Sequence, residues 1–98
     1  GLRKFNTDTG ESLGSWSDGP DFCWYSEPWF APADNQLLED HGYLICFMWN
    51  DKIQIQELQI FDAQNISLGP VARVTMPHAI PVGFHACWMK ASQINITK

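Results

Sequence analysis

Apolar residues fall in short blocks separated by turn formers, and they almost never recur at the 3.6-residue period of a helix. Leu2–Asn6 and Glu11–Trp16 flank Thr7-Asp8-Thr9-Gly10, which predicts a hairpin with Gly10 supplying the positive φ of the turn. Residues 17–21 hold Asp, Gly and Pro and predict a loop. Trp29-Phe30-Ala31 is fenced by Pro28 and Pro32, as suits an edge or entry strand, because proline cannot donate to a ladder. Residues 33–41 form a polar, acidic loop with one helical turn expected at Gln36–Glu39. Gly42–Trp49 is an unbroken apolar run, as expected of a strand buried on both faces. Asn50-Asp51-Lys52 reads as a turn into Ile53–Phe61, where Ile or Leu alternates with Gln, so one face should be buried and the other polar. A turn at Asn65–Pro70, a strand at Val71–Met76 and a last strand at Val82–Met89 follow. The tail, residues 90–98, has no clear partner.

The expected fold class is therefore all-β, with about seven short strands at the spacing of an antiparallel meander. A four-stranded propeller blade takes roughly 40–50 residues, so the chain has room for about one and a half to two blades. Such a piece leaves sheet edges open.

With 98 residues the chain holds one small domain at most. Its apolar share of 45% includes five tryptophans, Trp16, Trp24, Trp29, Trp49 and Trp88, a load that points to surfaces meant for burial against more protein. The first residue is Gly1 rather than Met, and strand-like sequence begins at Leu2, as in a fragment or a processed chain. A net charge of −5 without any basic run argues against nucleic acid as a partner. No apolar run approaches the roughly 20 residues of a membrane-spanning helix. The cysteines Cys23, Cys46 and Cys87 are odd in number and lack C-x-x-C spacing, which points to a reducing compartment rather than a disulfide framework. Sequons at Asn65 and Asn95 carry no weight without secretion.

Among residues with chemistry, His85 stands in the apolar segment Pro81–Trp88. A lone histidine there is more often a satisfied core residue than a ligand, yet a neutral imidazole among Phe84 and Trp88 also meets the needs of a buried metal ligand. Cys87 lies two residues on, but one Cys/His pair falls short of the four ligands of structural zinc. Glu27, in Ser26-Glu27-Pro28-Trp29-Phe30, is either a solvated loop residue or a carboxylate that orients a metal-bound histidine. His41 and His78 read as surface histidines. Neither a nucleophile turn nor a glycine-rich phosphate loop is present.

Taken in order, Glu27-Pro28-Trp29-Phe30-Ala31-Pro32, Glu39-Asp40-His41-Gly42-Tyr43-Leu44, Glu57-Leu58, Asp62-Ala63, Pro70-Val71-Ala72 and Pro81 to His85 with Trp88 resemble the C-terminal region of carotenoid cleavage oxygenases. That family includes lignostilbene dioxygenases and the retinal-pigment-epithelium isomerase. The resemblance covers roughly residues 3–89, and its ordered set of motifs is more specific than any one of them. It implies a seven-bladed β-propeller with Fe(II) on the axis, held by four histidines that three glutamates support. The implied reaction adds O2 across a carbon–carbon double bond of a carotenoid, apocarotenoid or stilbene; some members isomerise retinyl esters instead. By position, His85 matches the last iron ligand and Glu27 the last supporting glutamate, with the other three histidines expected upstream. The chain would then be inactive alone and partnered by the rest of the propeller. The resemblance also implies a cytoplasmic protein, with peripheral membrane contact in members that fetch lipid-like substrates. His41, Gln56 and Ala86 depart from the family pattern, Ala86 placing a methyl group beside the expected ligand. The competing expectations are a free-standing all-β binding module that uses its tryptophans, and a zinc module.

Overall fold

A computed structural model of the chain describes residues 1–20, 22–78, 80 and 88–93, with backbone only for 22–25 and 93. Strands β1 (Leu2–Phe5) and β2 (Ser12–Trp16) form the expected antiparallel hairpin, with Leu2 opposite Trp16. Its turn is closed by Asn6 as well as by glycine. The Asn6 side-chain oxygen accepts from the N–H of Asp8 (2.9 Å) and Thr9 (3.2 Å), while Gly10, at φ 73°, donates to the Asn6 carbonyl.

The second sheet is an antiparallel meander. Strands β5 (Gly42–Asn50), β6 (Ile55–Asp62) and β7 (Pro70–Thr75) pair in sequence order. The other edge of β5 is covered by two short strands in line, β3 (Phe22–Tyr25) and β4 (Trp29–Pro32). Among the described residues helical structure is limited to two three-residue 3-10 helices, Ile66–Leu68 and Ala91–Gln93. The sheet is thus mostly antiparallel β, as the pattern of residues predicts.

Several boundaries differ from expectation. β3 is not announced by the sequence pattern, whereas the expected strand at 82–89 lies outside the described residues apart from Trp88 and Met89, which are in no strand. Asn50 extends β5, and its side-chain oxygen accepts from the N–H of Lys52 (3.0 Å) and Ile53 (3.2 Å), so the turn runs to Gln54 at φ 58°. Ile53 is consequently an exposed turn residue and not the start of β6. The helical turn expected at Gln36–Glu39 is absent. Instead the loop is tied across its neck, Ala33 N–H to the His41 carbonyl (3.0 Å) and His41 N–H to the Leu38 carbonyl (3.0 Å), which leaves Leu37 86% exposed.

The core gathers Leu2, Cys46, Met48, Phe61 and Ile66, with Trp16 and Leu44 packed on it. It lies between the hairpin and the face of β5–β6 that carries Cys46 opposite Gln59 and Met48 opposite Glu57. Here the alternation in β6 misleads. Gln59 is fully buried and Glu57 is 8% exposed, whereas Leu58 and Ile60 on the opposite face are only half-buried. Polar partners from outside β6 make that burial tolerable. Gly69, at φ 85°, closes the core turn; a Cβ there would lie 2.9 Å from the Trp16 ring.

Candidate functional site

Glu27 is exposed and sits in the break between β3 and β4. Tyr25 is opposite Met48 and Trp29 opposite Ile45, so four steps along one strand match three along its partner. One residue is therefore extra, which defines a β-bulge, a device that bends an edge strand and re-aims a side chain. Pro28 lacks the N–H that would let the ladder continue. On the near side, Ser26 N–H donates to the Phe47 carbonyl (2.9 Å), and Phe47 N–H donates to the Ser26 hydroxyl (2.8 Å). On the far side Trp29 packs on Phe47, with ring centroids 5.8 Å apart and planes tilted by 49°. The bulge therefore presents a carboxylate at one edge of the sheet, held by aromatic packing beyond it and a hydroxyl before it.

His85, the expected metal ligand, lies outside the described residues, and so does its expected pairing with Glu27. Cys87 is outside as well, and the side chain of Cys23 is not described. Cys46 is a buried core residue whose thiol is pushed up to about 11 by desolvation, an inert small hydrophobe. The His41 ring accepts the Leu37 N–H at 3.3 Å within the 33–41 loop, and His78 is exposed. Trp29 and Trp49 are half-buried, with the Trp49 indole donating to Asp51 (3.3 Å), while Trp88 is exposed.

A polar cluster that sequence reasoning misses lies on the buried face of β6. Arg73 on β7 forms a two-pronged pair with Asp18, Nη1 to Oδ2 at 2.6 Å and Nη2 to Oδ1 at 3.0 Å, and Nη1 also reaches Glu57 at 2.9 Å. The Gln59 amide donates to Glu57 (2.7 Å) and to Asp18 (3.1 Å). The Arg73 hydrogen bonds hold the Asp18 carboxyl below its usual range despite burial, and Asp18 and Glu57 in turn raise Arg73. The cluster fastens the loop entering β3 to β6 and β7. Its sequence signal is faint: a Glu and a Gln two apart on one strand face, with an Arg in register opposite the Gln on the next strand.

Comparison with known proteins decides the kinship. The profile of the family described as retinal pigment epithelial membrane protein matches residues 1–90. The chain belongs to the carotenoid cleavage oxygenase family. It is 37% identical over 72 residues to a carotenoid 9,10(9',10')-cleavage dioxygenase from Crocus sativus, covering 71% of this chain and 13% of that protein. It is 33% identical over 82 residues to lignostilbene-alpha,beta-dioxygenase isozyme III from Sphingomonas paucimobilis, covering 84% of this chain and 16% of that one. In three dimensions it resembles a mutant of the Synechocystis protein ACO with a TM-score of 0.81 and 29% identity, over 91% of this chain and 18% of the other. The chain thus spans less than a fifth of the length of these carotenoid cleavage oxygenases.

The family is one of non-haem iron dioxygenases. Among the described residues no group of three or more His, Cys, Asp or Glu side chains could hold a metal ion, so they do not by themselves fit an iron centre. What they offer is one exposed carboxylate, Glu27, on a bulged sheet edge. No described helix is long and apolar enough to cross a membrane.

Proposed function

We propose that this chain is the C-terminal portion of a non-haem Fe(II) dioxygenase that cleaves a carbon–carbon double bond of a carotenoid, apocarotenoid or stilbene. In this reading the meander from β3–β4 to β7 is one four-stranded blade of a seven-bladed propeller, and the β1–β2 hairpin belongs to its neighbour. The observation that carries the reading is the position of Glu27, which lies on a bulge in the first strand of a consecutive four-stranded meander, where an innermost strand would face the propeller axis. His85 would serve as an iron ligand, with the Glu27 carboxylate accepting a hydrogen bond from its second ring nitrogen to fix the tautomer and raise ligand basicity. The names of the relatives support an apolar polyene or stilbene as substrate, with O2 as co-substrate.

The test uses the full-length enzyme. His85→Ala should abolish iron retention, and Glu27→Gln should weaken metal affinity by roughly 10–100-fold. Normal iron content and activity in His85→Ala would overturn the assignment. The 98-residue chain on its own should lack a sharp, cooperative melt, because β7 is exposed along nearly its whole length and invites pairing.

A further inference from the structure

We propose that Ser26 is a positioning residue for Glu27: its hydroxyl takes the place of a backbone carbonyl in the β3–β5 ladder and so fixes the bulge that aims the carboxylate. The inference rests on the reading of Glu27 given above.

In a regular antiparallel ladder every second facing pair exchanges both hydrogen bonds through the backbones, and Ser26 with Phe47 occupies such a position. Ser26 and Phe47 complete only half of that exchange. Ser26 N–H reaches the Phe47 carbonyl at 2.9 Å, but Phe47 N–H is accepted by the Ser26 Oγ at 2.8 Å. The Ser26 carbonyl is thereby released from the ladder, and the peptide joining Ser26 to Glu27 no longer has to lie in the plane of the sheet. The same hydroxyl donates to the Glu27 carbonyl at 3.3 Å. One oxygen thus holds both sides of the bulge, satisfying the strand that stays in place and gripping the residue that leaves it.

The neighbourhood makes such a pin necessary. β3 already slips between Phe22 and Trp24, so the register on that side is weakly set before Ser26 is reached. Beyond the bulge Pro28 cannot donate to β5, and regular pairing resumes only at Trp29 opposite Ile45. The Phe47 amide lies in a part-buried position and cannot be abandoned without cost. Alanine at 26 would leave three choices: an unpaired Phe47 N–H, a water in its place, or recapture of the Ser26 carbonyl by the ladder. The last would pull the peptide back into plane and turn Glu27.

The experiment compares Ser26→Ala, Ser26→Thr, Glu27→Gln and the Ser26→Ala/Glu27→Gln double variant in the full-length enzyme. It reads iron retention after dialysis against a chelator and hydrogen exchange at the Phe47 amide. Ser26→Ala should lower iron affinity by about 3- to 10-fold and speed Phe47 exchange, and Ser26→Thr, which keeps the hydroxyl, should restore both. The double variant should be no worse than Glu27→Gln alone, since a residue acting through Glu27 has nothing left to position. Unchanged iron affinity in Ser26→Ala, or a loss that adds in full to that of Glu27→Gln, overturns the role of Ser26. If Glu27→Gln itself leaves iron affinity untouched, the reading of Glu27 fails, and with it the proposal for Ser26.

Discussion

Along one edge of β5, Gly42–Ile45 meet β4 in unbroken register, whereas Phe47–Asn50 meet β3 and Ser26 through a slip and a side-chain hydroxyl. In the regular half the backbones and rings approach so closely that a Cβ on Gly42 would sit 2.8 Å from the Phe30 ring and closer still to the Ala31 carbonyl. The irregular half is held differently, by the Ser26 hydroxyl and, at its entry, by the Arg73 cluster around Asp18. Steric fit builds one half, and directed polar contacts hold the other. Where the edge bulges it gives up ladder bonds and recovers them from side chains.

The comparison can be broken or sharpened by substitution, read as local opening free energies from amide exchange in the full-length protein. Gly42→Ala should have the largest effect, about 3 kcal/mol, opening β4 from β5 because neither backbone can give way. An effect below about 1 kcal/mol would show that the regular half is as adaptable as the bulged one. Arg73→Met should follow at about 2 kcal/mol near neutral pH, concentrated at the entry to β3, since it strands Asp18 and Glu57 on a buried face while part of the guanidinium contribution is screened by solvent.

That second effect should depend on pH. The folded-state pKa of Asp18 is depressed, so its contribution is present above the ordinary aspartate value of 3.8 and fades as pH falls through the lower folded value. An acid titration should therefore show parent and Arg73→Met converging below about pH 4. A constant gap down to pH 2 would assign the loss to packing of the arginine stem.

Asn50→Ala removes the acceptor for two turn amides and should cost about 1 kcal/mol, confined to the β5–β6 turn. Pro28→Ala should be the smallest change, within about 0.5 kcal/mol, because residue 28 is exposed and has no ladder partner. A larger effect would mean that the proline ring, rather than Ser26, sets the bulge.

How much of this was legible depended on the range of the interaction. The β1–β2 hairpin and the β5–β6 pair are announced by turn residues between apolar runs, a signal only a few residues long. β3 escapes because Phe22-Cys23-Trp24-Tyr25 is only four residues long and apolar or aromatic throughout, so it shows no alternation. The buried face of β6 is misjudged for a clear reason. Gln59 and Glu57 look like surface residues until Arg73 and Asp18 arrive from other elements, and Asp18 lies 55 residues from Arg73 in the chain. Glu27 stands out in the sequence as a carboxylate among aromatics, but the bulge that carries it follows from pairing with Phe47, 21 residues beyond Ser26. His85 was marked by resemblance, and its surroundings lie outside the described residues.

The extra residue in the bulge also bears on how this chain tolerates changes in length. Removing one residue between Tyr25 and Trp29 would let β3 run into β4 with Trp29 still opposite Ile45, so every side chain of β4 would keep its face. Folding alone therefore does not require the position that Glu27 fills. A single-residue deletion there should leave the sheet as stable as before, or more so, while removing the carboxylate from its edge. On the role proposed for Glu27 the segment is spare length put to use, and the boundary between what the fold needs and what the chemistry needs falls at one peptide unit.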